Sequence, residues 1–239
     1  IIEKTKFENI YIPAAAHDAG TSIGSGLYLY NQILRNKRLP ASFTSYLGSK
    51  FNETEIIELL KHNNIQYRKL NDNDLYNEVS NNLISGGVVG WFQGRAEFGP
   101  RALGHRSLLA DPRGHDIKDK VNAIKRRQKF RPFAPAILEE HLHNYFEINT
   151  DKSPYMQYVG KCKHPDKYPA IVHVDGSSRI QTVGKSDSPG FRSLLEAWYN
   201  KTGCPMLLNT SLNIRGKPMI NTRSDADKFE KAYGVKVFS

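Results

Sequence analysis

The sequence predicts a domain of the α/β or α+β class, in which helices cover a central sheet. Short apolar runs with the length of buried strands occur at residues 88–92, 107–110 and 204–208. Segments with helical patterns alternate with them, at residues 52–60, 72–84, 116–127 and 191–200. Because helices and strands alternate along the chain, we expect the helices to pack against one sheet.

Capping signals support the predicted helices at 52–60 and 72–84. Asn52, followed by acidic residues, is typical of a helix start. The second helix is expected to end before Gly86 and Gly87, since glycine commonly closes a helix. Gly203 has the same position after the helix at 191–200.

Other segments have weaker patterns. A short strand is predicted near residues 65–70, and residues 139–168 read as polar and irregular, with a solvated helix near Glu139. Residues 171–183 predict two strands joined by an Asp-Gly turn, which puts Arg179 and Gln181 on one strand face. The two prolines within residues 130–138 argue against a helix there.

Composition indicates a globular protein and excludes several classes. The 239 residues are 39% hydrophobic and 24% charged, and no apolar run approaches the ~18 residues of a membrane span. Cys162 and Cys204 are expected to be free thiols in a reducing compartment, so we predict a cytoplasmic protein. The chain begins at Ile1 without a methionine or a signal-peptide pattern, and we expect a piece of a longer protein.

The net charge of +10 indicates an anionic partner. Nucleic acid is one such partner, and an anionic small molecule in a basic cleft is the other. Basic residues cluster only mildly, at residues 125–131, and no long basic tail is present. RNA binding is therefore allowed by the composition without being required.

A loop rich in glycine and arginine follows the predicted strand at 88–92. Glycine lets the backbone approach a ligand closely, and guanidinium groups bind phosphate or carboxylate through a planar fork of donors. Glu97 is placed to hold one of these guanidinium groups. The loop matches neither a Walker sequence nor a dinucleotide fingerprint, so an anion pocket and a structural turn both stay open.

Three other places carry candidate chemistry. Arg131 lies in an apolar segment and must find an anion or a carboxylate if it is buried. Small polar residues at 209–213 follow a predicted strand, where they suit either phosphate and ribose binding or turn formation. His17 and Asp18 are potential metal ligands, although Asp18 is also the expected cap of a helical run that ends near Leu34.

Five motifs occur in one order along the chain and carry a family resemblance: residues 94–104 (GRAEFGPRALG), 130–135 (FRPFAP), 173–176 (HVDG), 179–183 (RIQTV) and 209–213 (NTSLN). Together they closely resemble the C-terminal half of the O-carbamoyltransferases of the nodulation-protein and antibiotic-tailoring type. The resemblance covers nearly the whole chain, and five ordered motifs are more specific than any single one.

The resemblance implies both architecture and activity. It implies that residues 46–239 form a YrdC-like twisted mixed sheet with flanking helices, and that residues 1–45 are the tail of an actin/sugar-kinase-like domain. The YrdC-like part of such enzymes converts carbamoyl phosphate and ATP, through carbamate, to carbamoyl adenylate. The first domain then transfers the carbamoyl group to a hydroxyl of a sugar or natural-product acceptor, with an iron-type metal.

The resemblance also assigns residues. It implies catalytic roles for Lys125, Arg131 and Arg101, and substrate or nucleotide contacts for Arg95, Arg106, Arg179, Asn209, Ser211 and Asn213. Asp18 matches an aspartate that helps to bind the metal, with its histidine partners upstream. Mg²⁺ is expected with ATP. Three features depart from the family pattern: Gln128 in place of an acidic residue, His17 in place of a smaller one, and a short C-terminus.

Two alternative functions remain at this stage. A YrdC-like threonylcarbamoyl-adenylate synthase that serves tRNA shares the fold, but residues 1–45 argue against it because a free-standing synthase has no use for them. A basic RNA-binding module is the other. The favoured partners are ATP, carbamoyl phosphate, a hydroxyl-bearing acceptor and the N-terminal domain of the same protein. We expect no membrane contact and no nucleic-acid partner, and a homodimer stays open.

Overall fold

The computed structural model describes residues 4–8, 10–40 and 44–239. The described residues build an eight-stranded mixed sheet with strand order β4-β5-β6-β3-β7-β2-β1-β8. The strands are β1 Val88–Phe92, β2 Arg106–Ala110, β3 Ala134–Leu138, β4 Phe146–Glu147, β5 Tyr158–Cys162, β6 Ser177–Val183, β7 Met206–Ser211 and β8 Val237–Phe238. Pairs β3–β6 and β1–β8 are parallel, and the other neighbours are antiparallel.

Helices flank this sheet, as the sequence predicts. They are α1 Asp18–Tyr28, α2 Glu53–His62, α3 Asp72–Ile84, α4 Ile117–Ile124, α5 Leu142–Tyr145, α6 Pro189–Thr202 and α7 Arg223–Tyr233. A π-helical turn Leu29–Ile33 continues α1, and short 3₁₀ turns occur at Glu139–His141, Pro165–Lys167 and Pro169–Ile171. Within the described part of the chain, no helix is both long enough and apolar enough to cross a bilayer.

The core lies around the central strands. Every residue of β1, β2 and β3 is buried, as expected for strands covered on both faces. Helices α3 and α6 pack against each other, and α3 also contacts β1. Trp198 of α6 is fully buried and its Nε1 donates to the backbone oxygen of Met206 at 3.0 Å. Cys162 and Cys204 are both buried free thiols, which agrees with the prediction from the sequence.

Several predicted helix ends are confirmed. Asn52 caps α2 in a capping box with Glu55, whose carboxylate accepts a hydrogen bond from the Asn52 backbone N–H. Gly203 closes α6 in the left-handed conformation that glycine favours, with φ of 68°. Helix α4 ends at Ile124, earlier than predicted, because Arg126 adopts a positive φ of 51° that stops the helix.

Two strand predictions are wrong. Residues 65–70 form no strand, and the short strand β8 is the edge of the sheet next to β1. The first of the two strands predicted within 171–183 is replaced by a 3₁₀ turn and a tight turn in which Gly176 N donates to His173 O. The antiparallel partner of β6 is instead β5, in the region predicted to be irregular.

Two smaller differences concern positions near the candidate site. Strand β7 extends to Ser211, so Asn209 lies within a strand rather than in the turn after it. Helix α1 is capped by His17, whose Nδ1 accepts from the backbone N–H of Ala19 at 3.1 Å. The predicted cap, Asp18, occupies the first helical position instead.

The segment before α2 also contacts the sheet domain. Gln157 Nε2 donates to the backbone oxygens of Ile12 and Pro13, at 2.6 and 3.0 Å. Helix α1 itself contains no buried residue. The assignment of residues 1–45 to a separate domain stays a prediction, and residues 1–3, 9 and 41–43 of that region lie outside the described residues.

Ile137 offers a test of the core. It is fully buried in β3, where it pairs with Met206 of β7 and Thr182 of β6. We expect Ile137→Ala to lower the free energy of unfolding by about 2–5 kcal/mol, because the surrounding strands close the cavity only partially. Ile33→Ala, at a position 58% exposed, should stay within about 0.5 kcal/mol of the parent protein. Denaturant unfolding measures both, and equal effects of the two substitutions would contradict this core.

Candidate anion-binding site at one edge of the sheet

The strand register brings the predicted site residues to one edge of the sheet. Strand β7 is antiparallel to both β2 and β3, so its carboxyl end meets the amino ends of both neighbours. Ser211 pairs with Ser107, and Asn209 pairs with Ala134. The loop before β2, the turn before β3 and the turn after β7 therefore converge, although they are far apart in sequence.

Lys125 joins two of these segments. Its ammonium group is buried and donates to the backbone oxygen and Oγ of Ser211, at 2.5 and 3.2 Å. It also donates to the backbone oxygen and Oδ1 of Asn213, at 3.0 and 2.8 Å. These contacts bring together three residues that the family resemblance singles out, and they fix the turn after β7 in place.

Burial, and then the charge of the nearby Arg127 guanidinium, lower the pKa of Lys125 to about 7. The four oxygens around the ammonium group are carbonyl, hydroxyl and amide oxygens, none of which carries a charge. A negative charge brought to this place would therefore favour the protonated lysine.

Arg127 is a site residue that the sequence reasoning missed. Its Nε donates to Asn122 Oδ1 at 2.6 Å and its guanidinium lies 4.5 Å from the centre of the Phe133 ring. Burial, and then the charge of Arg131, lower the pKa of Arg127 to about 10. Its position in the basic run at 125–131 was the available signal, but the sequence does not distinguish it from the exposed cations beside it.

Arg131 itself is exposed, so the predicted need for a buried counter-charge does not arise. Its Nε donates to Gln128 Oε1 at 3.0 Å. Gln128, which departs from the acidic residue of the family pattern, therefore orients Arg131 without neutralising it.

Arg179 and Arg101 form a second cation group. Burial, and then the charge of Arg101, lower the pKa of Arg179 to about 10. The Nε of Arg179 is buried and has no hydrogen-bond partner among the described residues. A buried donor without a partner is costly, so this position favours an incoming acceptor. Arg101 is exposed at the end of the loop.

Gln181 and Asn209 connect the sheet to this loop. Asn209 Nδ2 donates to Gln181 Oε1 at 2.7 Å and to the backbone oxygen of Ala102 at 3.1 Å. Gln181 Nε2 donates to the backbone oxygen of Leu103 at 2.9 Å. Arg179 and Gln181 therefore share the strand face that the loop covers, as predicted, while the amide of Asn209 supports the loop.

Glu97 has a different role from the one predicted. One carboxylate oxygen accepts the backbone N–H groups of Leu103, His105 and Arg106, at 2.7, 2.8 and 3.2 Å. The carboxylate therefore folds the loop backbone and forms no hydrogen bond or ion pair with a guanidinium in the described structure. Gly104 is required in this loop, because it has φ of 105° and an added Cβ would lie 2.1 Å from the Phe191 ring.

The structure favours a structural role for Arg106 over the ligand contact expected from the resemblance. Its side chain is fully buried, and its terminal nitrogens donate to the backbone oxygens of Gln93, Gly94 and His105 at 2.8–3.2 Å. The guanidinium also stacks 3.7 Å from the centre of the Phe92 ring. It has little freedom left to meet a ligand.

Arg95 lies on the outer side of the loop. It is exposed and donates to the backbone oxygen of Leu47 at 3.1 Å. His105, whose pKa is lowered by burial, bridges the backbone oxygen of Arg95 and Ser188 Oγ, and its ring stacks on Tyr46 at 3.8 Å. Tyr46 and His105 are further residues at this loop that the sequence reasoning did not single out.

Asp18 stands apart from these groups. Its carboxylate is exposed in the first turn of α1, next to His17, whose imidazole lies near Gly99 of the loop. No group of three or more histidine, cysteine, aspartate or glutamate side chains suited to a metal occurs among the described residues. Asp18 alone does not make a metal site.

The contacts of Glu97 with the loop backbone predict that removing its carboxylate destabilises the fold. We expect Glu97→Ala to lower the free energy of unfolding by about 2–4 kcal/mol, because three buried N–H donors lose their acceptor. Glu97→Gln should recover most of this loss, since its amide oxygen can accept the same bonds. Denaturant unfolding, with hydrogen exchange at the Leu103, His105 and Arg106 amides, measures the effect. A Glu97→Ala protein as stable and as protected as the parent would contradict this role.

Comparisons with known proteins identify the family of the chain. Residues 80–238 match the family model described as the carbamoyltransferase C-terminus. Protein sll1178 of Synechocystis, described as uncharacterised, is 41% identical over 95% of this chain and 41% of its own length. Nodulation protein NolO of Bradyrhizobium diazoefficiens is 38% identical over 92% of this chain and 41% of its own. The 3'-hydroxymethylcephem-O-carbamoyltransferase of Amycolatopsis lactamdurans is 42% identical over 67% of this chain and 31% of its own.

Solved structures support the predicted fold. Full-length HypF, in a phosphate- and nucleotide-bound form, aligns with a TM-score of 0.52 and 17% identity over 69% of this chain and 24% of that one. YciO of E. coli aligns with a TM-score of 0.50 and 17% identity over 71% of this chain and 79% of that one. The expected YrdC-like mixed sheet with flanking helices is thereby confirmed.

The chain spans about two fifths of the length of sll1178 and NolO, 41% in each case. It therefore corresponds to one part of those proteins. Since the family model matches more than half of its residues, the chain belongs to the carbamoyltransferase C-terminal family.

Proposed function

We propose that this chain is the adenylate-forming part of an O-carbamoyltransferase, which uses ATP and carbamoyl phosphate to make carbamoyl adenylate. The observation that carries the proposal is a set of cations at the sheet edge without acidic partners. Among the described residues, no ion pair is formed by Arg101, Lys125, Arg127, Arg131 or Arg179. Such a site favours anionic ligands, and both proposed substrates carry phosphate.

Two cation groups suit two anionic substrates. Lys125, beside Ser211 and Asn213, would meet the phosphates of ATP, with Arg127 and Arg131 close by. Arg179, with its unpartnered Nε, would meet carbamoyl phosphate together with Arg101. Fixed cations stabilise the charge that develops during phosphoryl and acyl transfer without the need for a protein nucleophile.

The proposed chemistry has two steps. Water attacks the phosphorus of carbamoyl phosphate, the bond from that phosphorus to the carbamoyl oxygen breaks, and carbamate leaves with the electron pair, while the protons of the water pass to inorganic phosphate and solvent. A carbamate oxygen then attacks the α-phosphorus of ATP, the bond from that phosphorus to the bridging oxygen of pyrophosphate breaks, and pyrophosphate leaves with the electron pair. The cations hold the two substrates in line and balance the charge on the leaving pyrophosphate.

Metal ions have a limited place in this proposal. Mg²⁺ would enter with ATP and be held by its phosphates and water, because the described residues offer no cluster of acidic ligands for it. The iron-type metal implied by the resemblance belongs to acceptor transfer. Asp18 would contribute one ligand to it, and the other ligands would come from residues upstream of this chain. The hydroxyl-bearing acceptor would likewise meet the upstream domain.

Pyrophosphate release from ATP tests the proposal. We expect release that requires carbamoyl phosphate and falls by about 100-fold or more in Arg179→Ala, since one preorganised donor to a transition state typically has that effect. Arg101→Ala should also reduce it, and its exposed position leaves folding intact. Arg38→Ala, a change of an exposed arginine outside the site, is the matched control.

The outcomes distinguish the alternatives. Release with threonine and bicarbonate instead of carbamoyl phosphate would indicate the tRNA-modifying synthase. ATP binding without pyrophosphate release would indicate that the upstream domain is required for the reaction. No ATP binding, combined with RNA binding that weakens steeply with salt, would overturn the proposal in favour of an RNA-binding module.

The lowered pKa of Lys125 predicts proton-linked ATP binding. With a pKa of about 7, Lys125 is mostly neutral at pH 8, and a bound triphosphate should raise its pKa and draw in a proton. Affinity should therefore fall as pH rises above about 7, until the raised pKa of the complex is passed. Calorimetry at pH 8 in buffers of different ionisation enthalpy measures the uptake.

A matched pair of variants isolates Lys125. Lys125→Met should abolish this proton uptake, whereas Lys129→Met, at an exposed neighbouring lysine, should retain it. Titration of ATP itself is common to all three proteins and cancels in their difference. Equal uptake in the parent and in Lys125→Met would show that Lys125 does not sense the ligand.

A further inference from the structure

A cavity of about 440 Å³ lies beside the outer strands of the sheet. Its lining comes from strands β1 and β8, from helices α2, α3 and α7, and from residues 66–70. The described residues that line it include neither Lys125 nor Arg179. The cavity therefore lies outside the two cation groups, and its volume is typical of a small-molecule site.

One part of the lining is apolar. Leu60, Phe92 and Phe238 are buried, and Phe51 and Leu75 pack against the core. An apolar ligand body that covers these side chains would remove both surfaces from water, which is favourable.

Most of the charged side chains around the cavity are already paired. Arg68 and Lys236 both form ion pairs with Glu78, and Lys69 forms one with Glu53. These cations have carboxylate partners within the protein, so they do not need an anionic ligand.

Arg223, the first residue of α7, is the exception among the described cations of the lining. It forms no ion pair within the described part of the chain, and its Nη1 donates to Ser239 Oγ at 2.7 Å. Its Nε is buried and has no hydrogen-bond partner there. Burial lowers the pKa of Arg223, although the charges of Glu230 and Asp227 oppose this effect. A guanidinium in this state favours an incoming acceptor with a negative charge.

Gln93 supplies a second donor to the same cavity. Its Nε2 is buried and has no hydrogen-bond partner among the described residues. The backbone of Gln93 is fixed, because its N–H donates to the His105 oxygen at 2.9 Å and its oxygen accepts from Arg106 Nη1 at 2.8 Å. Two buried donors without acceptors therefore belong to residues that line one partly apolar cavity.

We propose that this cavity binds a small monocarboxylate with an apolar body. The Arg223 guanidinium would hold the carboxylate, Gln93 Nε2 would donate a further hydrogen bond, and the apolar body would cover Phe92 and Phe238. A single unpaired cation with Glu230 and Asp227 nearby suits one negative charge better than the two charges of a phosphate monoester. The site is separate from the proposed substrate sites, and the inference does not depend on the proposed function.

Calorimetric titration of the full-length protein with 3-phenylpropionate tests the site. We expect binding with a Kd of about 1 mM or tighter, and binding of the neutral 3-phenylpropanamide that is about 10-fold weaker or more. The two ligands share the phenyl body, so their difference reports the carboxylate. Saturating ATP or carbamoyl phosphate should leave both affinities within about twofold, since neither Lys125 nor Arg179 lines the cavity.

Variants locate the carboxylate. Arg223→Met should weaken 3-phenylpropionate binding by about 10-fold or more and remove its advantage over the amide. Gln93→Met should weaken binding as well, whereas Arg38→Met, at an exposed arginine outside the cavity, should leave it unchanged. Thermal unfolding of each variant confirms that it is folded, and the comparison of the two ligands on the parent protein needs no variant.

Four results would overturn the proposal. These are absence of 3-phenylpropionate binding to the parent protein, equal affinity for the carboxylate and the amide, full binding by a folded Arg223→Met protein, and displacement of the ligand by ATP. The last result would place the carboxylate in the proposed ATP site. Failure of the pyrophosphate-release test would leave this proposal unaffected, so the two can fail separately.

Discussion

Positive charge without a neutralising carboxylate is the constraint around which this end of the molecule is arranged. Lys125, Arg127 and Arg179 are each partly or fully removed from water, yet neutral groups take most of their hydrogen bonds. The carbonyl, hydroxyl and amide oxygens of Ser211 and Asn213 surround Lys125. Dipoles of this kind hold a cation in place without cancelling its field. The charge therefore remains available to a ligand, and the lowered pKa values of these groups reflect its cost.

The loop between β1 and β2 uses charge in the opposite way. The Glu97 carboxylate accepts hydrogen bonds from three backbone N–H groups, and the Arg106 guanidinium donates to backbone oxygens of the same loop. Both side chains are buried and both act as scaffolding. Because Glu97 is occupied in this way, it forms no ion pair with the cations that line the site. A single acidic residue thus shapes the loop without neutralising the cations of the site.

The sequence predicted the parts of the site that depend on local pattern. Glycine and arginine spacing indicated the loop, and the apolar runs indicated the strands that carry it. It failed where pairing between distant segments decides the outcome. Strands β4 and β5 show no clear alternation of apolar and polar residues, and β5 forms a strand because it pairs with β6. Arg127 could not be separated from its exposed neighbours, since its distinction is the contact with Asn122 and the Phe133 ring.

The same reason explains why Glu97 was misread. In sequence it is surrounded by arginines, and an ion pair is the simplest expectation for such a neighbourhood. The structure folds the loop back so that the N–H groups six to nine residues later point at the carboxylate. Hydrogen bonds from several N–H donors to an ionised carboxylate are strong and directional. The neighbouring guanidinium groups of Arg95 and Arg101 are exposed and can bind water instead. The loop geometry therefore decides the partner of Glu97.

The arrangement of the cations bears on the reaction as well as on binding. A carbamate ion and the α-phosphate of ATP repel each other, so a site that joins them must first overcome that repulsion. In the proposed reaction, two cation groups at one sheet edge would meet this requirement, because each would hold one anion while the field of both covers the space between them. A site with one group would bind a phosphate but would not bring two anions together. The division into a Lys125 group and an Arg179 group is the arrangement that the proposed two-substrate condensation would require.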